Sequence, residues 1–497
     1  MITDRLRSTL VWGSYLASLW LVFRPALLTH VVADDFINPF GQAHNAGFSI
    51  SSIINYTVDN TWLAGHFNYS GQVIGSLATF VLTYLITDLS FHYVTVFAVL
   101  KFAVFFITIE VATNTLIRII ESFGREFSRW NARLVLMLTF GLTLQIHVPW
   151  SNDPVASYPL AGYGTLVVGL TYLGLGDRVH RAEFSATSVG ALSLFSLFAV
   201  TYYEANVLMI FSVGLILFQS SLDSVAGVNR RRKLTLSTIA TAIPLMFTAF
   251  LYSISQPQTA NYTGTQLSPS FQMVKHTFKG LLSSLPTASW GLAREWLASP
   301  MKYSWSVTRF FMLLCVLLAV IGILSRPRQN SHKTVHSNVK RGWVLIVSLL
   351  MYWSGTTLLQ SSTVKVRDEA LRVGQVYTYY AIGSVCVAIL IAAGITLLQN
   401  NFRRIALVSF ALLICVGAIQ YVINTNVTMK FNERTAPVGN LLNVYADGRS
   451  AEERCVALEW WKSMGWPEYY WVGTEVGMNA TYKKYKGVAF CEEGTGR

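Results

Sequence analysis

Charge is scarce in this chain. Of its 497 residues 13% are charged, against about 25% in an ordinary soluble domain. Hydrophobic residues make up 53%, and the mean hydropathy is +0.43. The shortage excludes a soluble or a disordered protein. Cysteine is also sparse, with five residues, and no CxxC or His/Cys spacing suggests a zinc or thioredoxin-like site. What recurs instead is the apolar run of about 18 or more residues, long enough to cross a hydrocarbon core. The chain therefore reads as a polytopic all-α membrane protein. Two stretches break the pattern: residues 32–70, which lack Lys and Arg, and the last seventy or so residues, which hold no span.

The net charge of +13 would suggest nucleic acid in a soluble protein, but in a membrane protein basic loops first mark the cytoplasm. Nineteen of the 38 basic residues fall in six segments: Arg5/Arg7, Arg118/Arg125/Arg129/Arg133, Arg178/Arg181, Arg230 to Lys233, Arg326 to Arg341, and Arg403/Arg404. Lipid orientation accounts for them, and no nucleic-acid partner is expected. Holding these segments inside predicts eleven spans, near 9–31, 91–117, 134–149, 157–176, 184–201, 205–222, 234–255, 304–324, 343–360, 377–398 and 405–424. The N-terminus is then cytoplasmic and the C-terminal segment external. Residues 71–88 fit this topology only as an in-plane or re-entrant helix. The first span lacks a small-residue cleavage site and is read as retained. Arg24, in its outer half, either snorkels to the headgroups or faces an anionic group.

The polar loop begins with Val32-Ala33-Asp34-Asp35-Phe36. Two adjacent carboxylates at a low-dielectric surface repel, so they need a cation, a hydrogen-bonding shell or a shared proton. One of them can take a proton from a hydroxyl while the other orients it or binds a metal. A helix cap is the bland alternative. The loop adds His44, Trp62 and His66, each readable as a substrate contact or as an ordinary surface or interfacial residue.

Other external polar groups lie in short loops. The turn Gln145 to Pro154 carries His147, Asn152 and Asp153, which serve either turn chemistry or a ligand. Tyr203-Glu204 places a carboxylate at membrane depth, where burying it is costly and function is the default hypothesis. Lys101 and Glu110 sit nine residues apart on one span, on opposite helix faces, so each needs a partner elsewhere. External basic residues concentrate in 256–303, with Lys275, and in 361–376, with Arg367 and Arg372; phosphate or anionic headgroups would explain them.

Cys455 and Cys491, in an external segment, predict a disulfide. The segment 425–497 is set apart from the transmembrane domain, residues 1–424, and is small enough that it must dock on that domain. Its aromatic run, Trp460 to Trp471, suits either a headgroup belt or a sugar-stacking surface.

Together, the early acidic pair, the in-plane helix, Ser90-Phe91-His92 opening a span, His147-Val148-Pro149 with Asp153, and Trp62-Leu63-Ala64-Gly65-His66 resemble the GT-C class of integral-membrane glycosyltransferases, in particular bacterial O-antigen and wall-polysaccharide enzymes. The WWD-type motif of oligosaccharyltransferases is missing. The resemblance implies a GT-C-like fold and a polyprenyl-phosphate-sugar donor. It also implies a lipid-linked or envelope glycan acceptor and transfer outside the cytoplasmic membrane, with Asp34 or Asp35 as base and a divalent metal left open. A transporter or flippase of lipid-linked sugars, or a polysaccharide polymerase or ligase, is the alternative.

Overall fold

The structure, a computed structural model, describes residues 4–30, 40, 44–63, 65–147, 155, 159–181, 185–222, 228–255, 268, 270–297, 305–324, 338–369, 372–376, 379–464 and 468–491. All regular structure among them is helical. In chain order the α-helices are α1 (Asp4–Leu28), α2 (Ile50–Leu63), α3 (Tyr69–Thr87), α4 (Tyr93–Ser122), α5 (Arg129–Leu136), α6 (Pro159–Arg181), α7 (Ala186–Tyr202), α8 (Val207–Leu222), α9 (Val228–Ile254) and α10 (Phe271–Ser283). There follow α11 (Trp290–Leu297), α12 (Trp305–Leu324), α13 (Val339–Ser361), α14 (Val364–Glu369), α15 (Tyr379–Asn401), α16 (Arg403–Arg434), α17 (Ala436–Asp447), α18 (Ala451–Lys462) and α19 (Glu468–Lys486).

Among the described residues, nine helices are long and apolar enough to cross a membrane, so the chain is a multi-pass helical membrane protein. Eight of these coincide with expected spans. The ninth is α3, which covers the stretch expected in-plane or re-entrant. The other three expected spans differ. Those at 184–201 and 304–324 appear as the shorter apolar helices Ala186–Tyr202 and Phe311–Ile321. The one at 134–149 is broken: α5 has eight residues, passes into a π-helical turn at Met137–Gly141, and continues without regular structure to His147. Threonine hydroxyls that bond back to the helix, Thr139 to Val135 O and Thr143 to Thr139 O, accompany the distortion. The boundary at residue 424 falls inside α16, which runs unbroken for 32 residues. At about 1.5 Å per residue it is longer than a hydrocarbon core and projects beyond it.

The bundle has two ends. One, the C-terminal face, carries α17 to α19, which share a core with Leu82 and Ile86 of α3 and Tyr93 and Phe97 of α4. Thr87 donates to the Tyr445 hydroxyl, and Lys486 reaches Asp88 O and Ser90 Oγ. Cys455 and Cys491 are disulfide-bonded. Of the aromatic run, Trp461 is core and Trp460 is exposed. The other end of α3 also meets this face: Ser70 bonds Thr201 near the end of α7, 2.8 Å apart.

The opposite end is an arginine face. Asp177 of α6, fully buried, accepts from Arg118 of α4 (2.9 Å), Arg181 (2.9 Å) and Arg341 of α13 (2.5 and 3.0 Å). Glu110 similarly takes Arg133 in a bidentate pair (2.7 and 2.8 Å), Arg129 (3.1 Å) and the Tyr15 hydroxyl. The Arg133 guanidinium lies 4.4 Å from the ring centroids of both Trp12 and Trp130. Arg118, Arg129, Arg133, Arg181 and Arg341, which the sequence groups as orientation signals, are thus also tied to two carboxylates. Removing one member of such a buried set leaves uncompensated charge. Asp177→Asn is expected to cost about 3–5 kcal/mol, seen as a lower Tm in detergent; an unchanged Tm would show that the cluster does not hold the three helices.

Candidate functional site

The side chains with chemistry gather at the C-terminal face. Helix α2 stops because Gly65 turns left-handed (φ 71°). Its N–H bonds Trp62 O, and that of His66 bonds Thr61 O, the paired closure of a Schellman motif. The Gly-His of the sequence is therefore a helix stop that aims His66. Its Nδ1 lies 3.2 Å from Glu204 Oε1, and the Phe67 N–H reaches the same oxygen at 3.4 Å. Glu204 opens a single 3-10 turn between α7 and α8. That turn is pinned by Asn206, which donates to Ala199 O and accepts from Tyr352 at 2.6 Å.

From Tyr203 a chain of amides crosses the face. Gln360 of α13 donates to the Tyr203 hydroxyl (3.1 Å) and accepts from the Tyr379 N–H (2.8 Å). On α15, the neighbouring Tyr380 accepts from the Gln145 N–H, and its ring sits 4.3 Å from that of His147. Gln145 also bridges the turn between α10 and α11, donating to Leu285 O and accepting from Ser289 N–H. Asn424 of α16 takes the Ile146 N–H and donates to Leu144 O, then connects through Gln420 to the Trp290 indole N–H. Non-helical backbone at membrane depth persists only where protein or a cavity satisfies it, and these contacts supply the satisfaction for residues 144–146.

The end of α1 is a second centre. Lys101 of α4, fully buried, donates to Ala26 O and Thr29 O at 3.3 and 2.9 Å, placing an ammonium on the carbonyl end of the helix. His30 follows, held by Asn432 through its N–H and by Thr435 through Nδ1, both at 2.9 Å. Burial, with the charge of Lys101 beside it, pushes the His30 pKa down to about 4.

Of the candidates named from sequence, His66, Tyr203, Glu204 and His147 belong to this face. Asp34, Asp35, Asn152 and Asp153 lie outside the described residues. Arg24 is exposed and makes no hydrogen bond or ion pair with the described residues; its charge acts on Tyr421. Trp62 is 36% exposed, His44 packs near Phe48, and Lys275 is exposed. Arg367 donates to Ser268 and Ser270, while Arg372 is locked in a bidentate pair with Glu295 (2.7 and 2.9 Å). Among the described residues no group of three His, Cys, Asp or Glu could hold a metal. His30, Gln360 and Gln420 escaped the sequence reading; a signal existed, since an amide or imidazole inside an apolar run needs a partner.

The chain matches no protein-family model, no curated protein and no solved structure.

His30 gives a pH prediction. Its folded pKa, about 4, lies below the ordinary 6.5, so the unfolded chain binds the extra proton and stability falls as pH drops through that window. At most about 3 kcal/mol is involved. The Tm advantage of wild type over His30→Gln should therefore shrink between pH 7 and pH 4; a constant difference would contradict it.

Proposed function

We propose that the chain is a GT-C-like glycosyltransferase that moves a sugar from a polyprenyl-phosphate donor to a lipid-linked or envelope glycan acceptor. The observation that carries this reading is convergence. His66 with Glu204, the Tyr203 amide chain and His147 share one face with the end of α1, and Asp34 and Asp35 follow that helix by only a few residues in the sequence. In this reading the C-terminal face is extracytoplasmic. The arginine face, where Arg118, Arg129, Arg133, Arg181 and Arg341 cluster, then obeys the positive-inside rule. Eleven helices cross, and α3, with both ends against the C-terminal face, lies along the membrane surface.

The reaction is a single displacement. Asp34 or Asp35 removes the proton of an acceptor hydroxyl, the oxygen attacks the anomeric carbon, and the bond to the polyprenyl phosphate breaks with its electron pair. The departing phosphate is a stable anion, so the protein's work is positioning and cationic stabilisation. Arg24 and Lys275, exposed and without a hydrogen-bond partner among the described residues, have donors to spare for phosphate, whereas Arg372 already holds Glu295. A flippase of lipid-linked sugars is the second reading; the broken helix after Met137 favours it, because transporters build substrate sites on such breaks.

Mass spectrometry of envelope glycans with and without the gene identifies the sugar and acceptor. Transfer is then measured in proteoliposomes. Asp34→Asn or Asp35→Asn should lower the rate by about 10²-fold or more, and Glu204→Gln by about tenfold, as loss of a positioning contact. Full activity in both aspartate variants refutes the proposal; lipid-linked sugar crossing the bilayer without transfer supports the flippase.

A further inference from the structure

Two unsatisfied polar atoms face each other beside α17, and their chemistry is complementary. Thr435 spends its only hydroxyl proton on Phe431 O at 2.8 Å. Its oxygen therefore accepts from His30, and the His30 hydrogen sits on Nδ1. That leaves Nε2 as a bare acceptor, with no hydrogen bond to it from the described residues. Opposite stands Tyr93, the first residue of α4, only 1% exposed, whose hydroxyl finds no partner among the described residues. The rings are 6.0 Å apart. Both polar atoms close on Gly439: a Cβ there would come 3.0 Å from the Tyr93 oxygen, 3.2 Å from His30 Nε2 and 2.8 Å from His30 Cε1. Any side chain at 439 would push the imidazole away, so the absence of one is what lets both groups approach.

A buried hydroxyl left unpaired costs free energy comparable to a lost hydrogen bond. A phenol that can donate and an imidazole nitrogen that can only accept are together the complement of one alcohol group, which accepts from the first and donates to the second. A carboxylate or phosphate could satisfy Tyr93 but would set its own lone pairs against Nε2. An apolar group would satisfy neither.

We propose that His30 Nε2 and the Tyr93 hydroxyl form a two-point subsite for one hydroxyl of a carbohydrate, identified as the acceptor glycan, an identification that rests on the glycosyltransferase reading above. The subsite binds and orients; the proton that leaves in the reaction goes to another group. His30 is kept neutral by its surroundings, so the acceptor lone pair is present at neutral pH. Its backbone and ring are both clamped, by Asn432 and Thr435, which fixes where the bound hydroxyl sits.

The test uses the full chain, purified in a detergent without hydroxyl groups, and reads carbethoxylation of His30 by diethylpyrocarbonate at pH 7 through peptide mass spectrometry. Hexyl β-glucoside is the probe; a hexyl oligoethylene glycol methyl ether, which has the same tail and no hydroxyl, is the control. The glucoside should slow His30 modification at least fivefold and the ether should not. In Tyr93→Phe, which removes only the oxygen, protection should be lost, with His44 reacting at its wild-type rate as the check on folding. Gly439→Ala should abolish it as well. Equal protection by both compounds, protection retained in Tyr93→Phe, or no glucoside effect on wild type overturns the subsite. Because no turnover is needed, this measurement can succeed where the transfer assay fails, and the reverse.

Discussion

Lys101 is fully buried, and the arrangement at the end of α1 follows from that. A fully buried ammonium requires acceptors, and the carbonyls of Ala26, in the last turn of α1, and of Thr29, just past it, provide them. The contact fixes the antiparallel register of α1 and α4, which continues inward through the stacked rings of Phe23 and Phe105 (4.5 Å apart) to Tyr15 and Glu110. It also fixes how far α1 runs. With its end capped by a side chain from another helix, the chain is released at His30, and α16 can reach over to hold it through Thr428, Asn432 and Thr435.

The break after α5 obeys the same rule from the other side. In hydrocarbon a peptide group without a partner is costly, so residues 144–146 lose helical hydrogen bonds only because Asn424 and Tyr380 replace them. What results is a rigid irregular segment that presents His147 to the face where Glu204 and His66 meet. Irregularity here marks tight satisfaction, since Gln145, Gln420 and Asn424 are all buried and each is engaged more than once.

Apolar length was enough to read α1, α4, α6, α8, α9, α13, α15 and α16 from the sequence, because a span is a local property of some twenty residues. The cysteine pair was readable for a similar reason: compartment and count restrict the choice. Glu204 and His66 could be singled out as polar groups in costly places, but not paired, since 138 residues separate them and nothing local encodes that meeting. The break at 137–147 was missed because its hydropathy is that of a helix; the determinant, Asn424, lies on α16. The sequence reads the arginines as orientation signals, and their pairing with Asp177 and Glu110 depends on which helices adjoin. Stretch 71–88 reads from the sequence as an in-plane or re-entrant helix, whereas α3 has the length and hydropathy of a span; the residues that touch its ends, Thr201 and Tyr445, lie far away in sequence.

The clamp on His30 joins residues 402 and 405 positions apart. During synthesis the first helix enters the membrane long before α16 exists, so its end must wait, unclamped, through nearly the whole of translation. Contacts of such separation form last and close the largest loops. The clamp on the end of α1 is therefore completed by α16, the last candidate membrane span in the chain, and a nascent chain interrupted before it would carry that helix end unclamped.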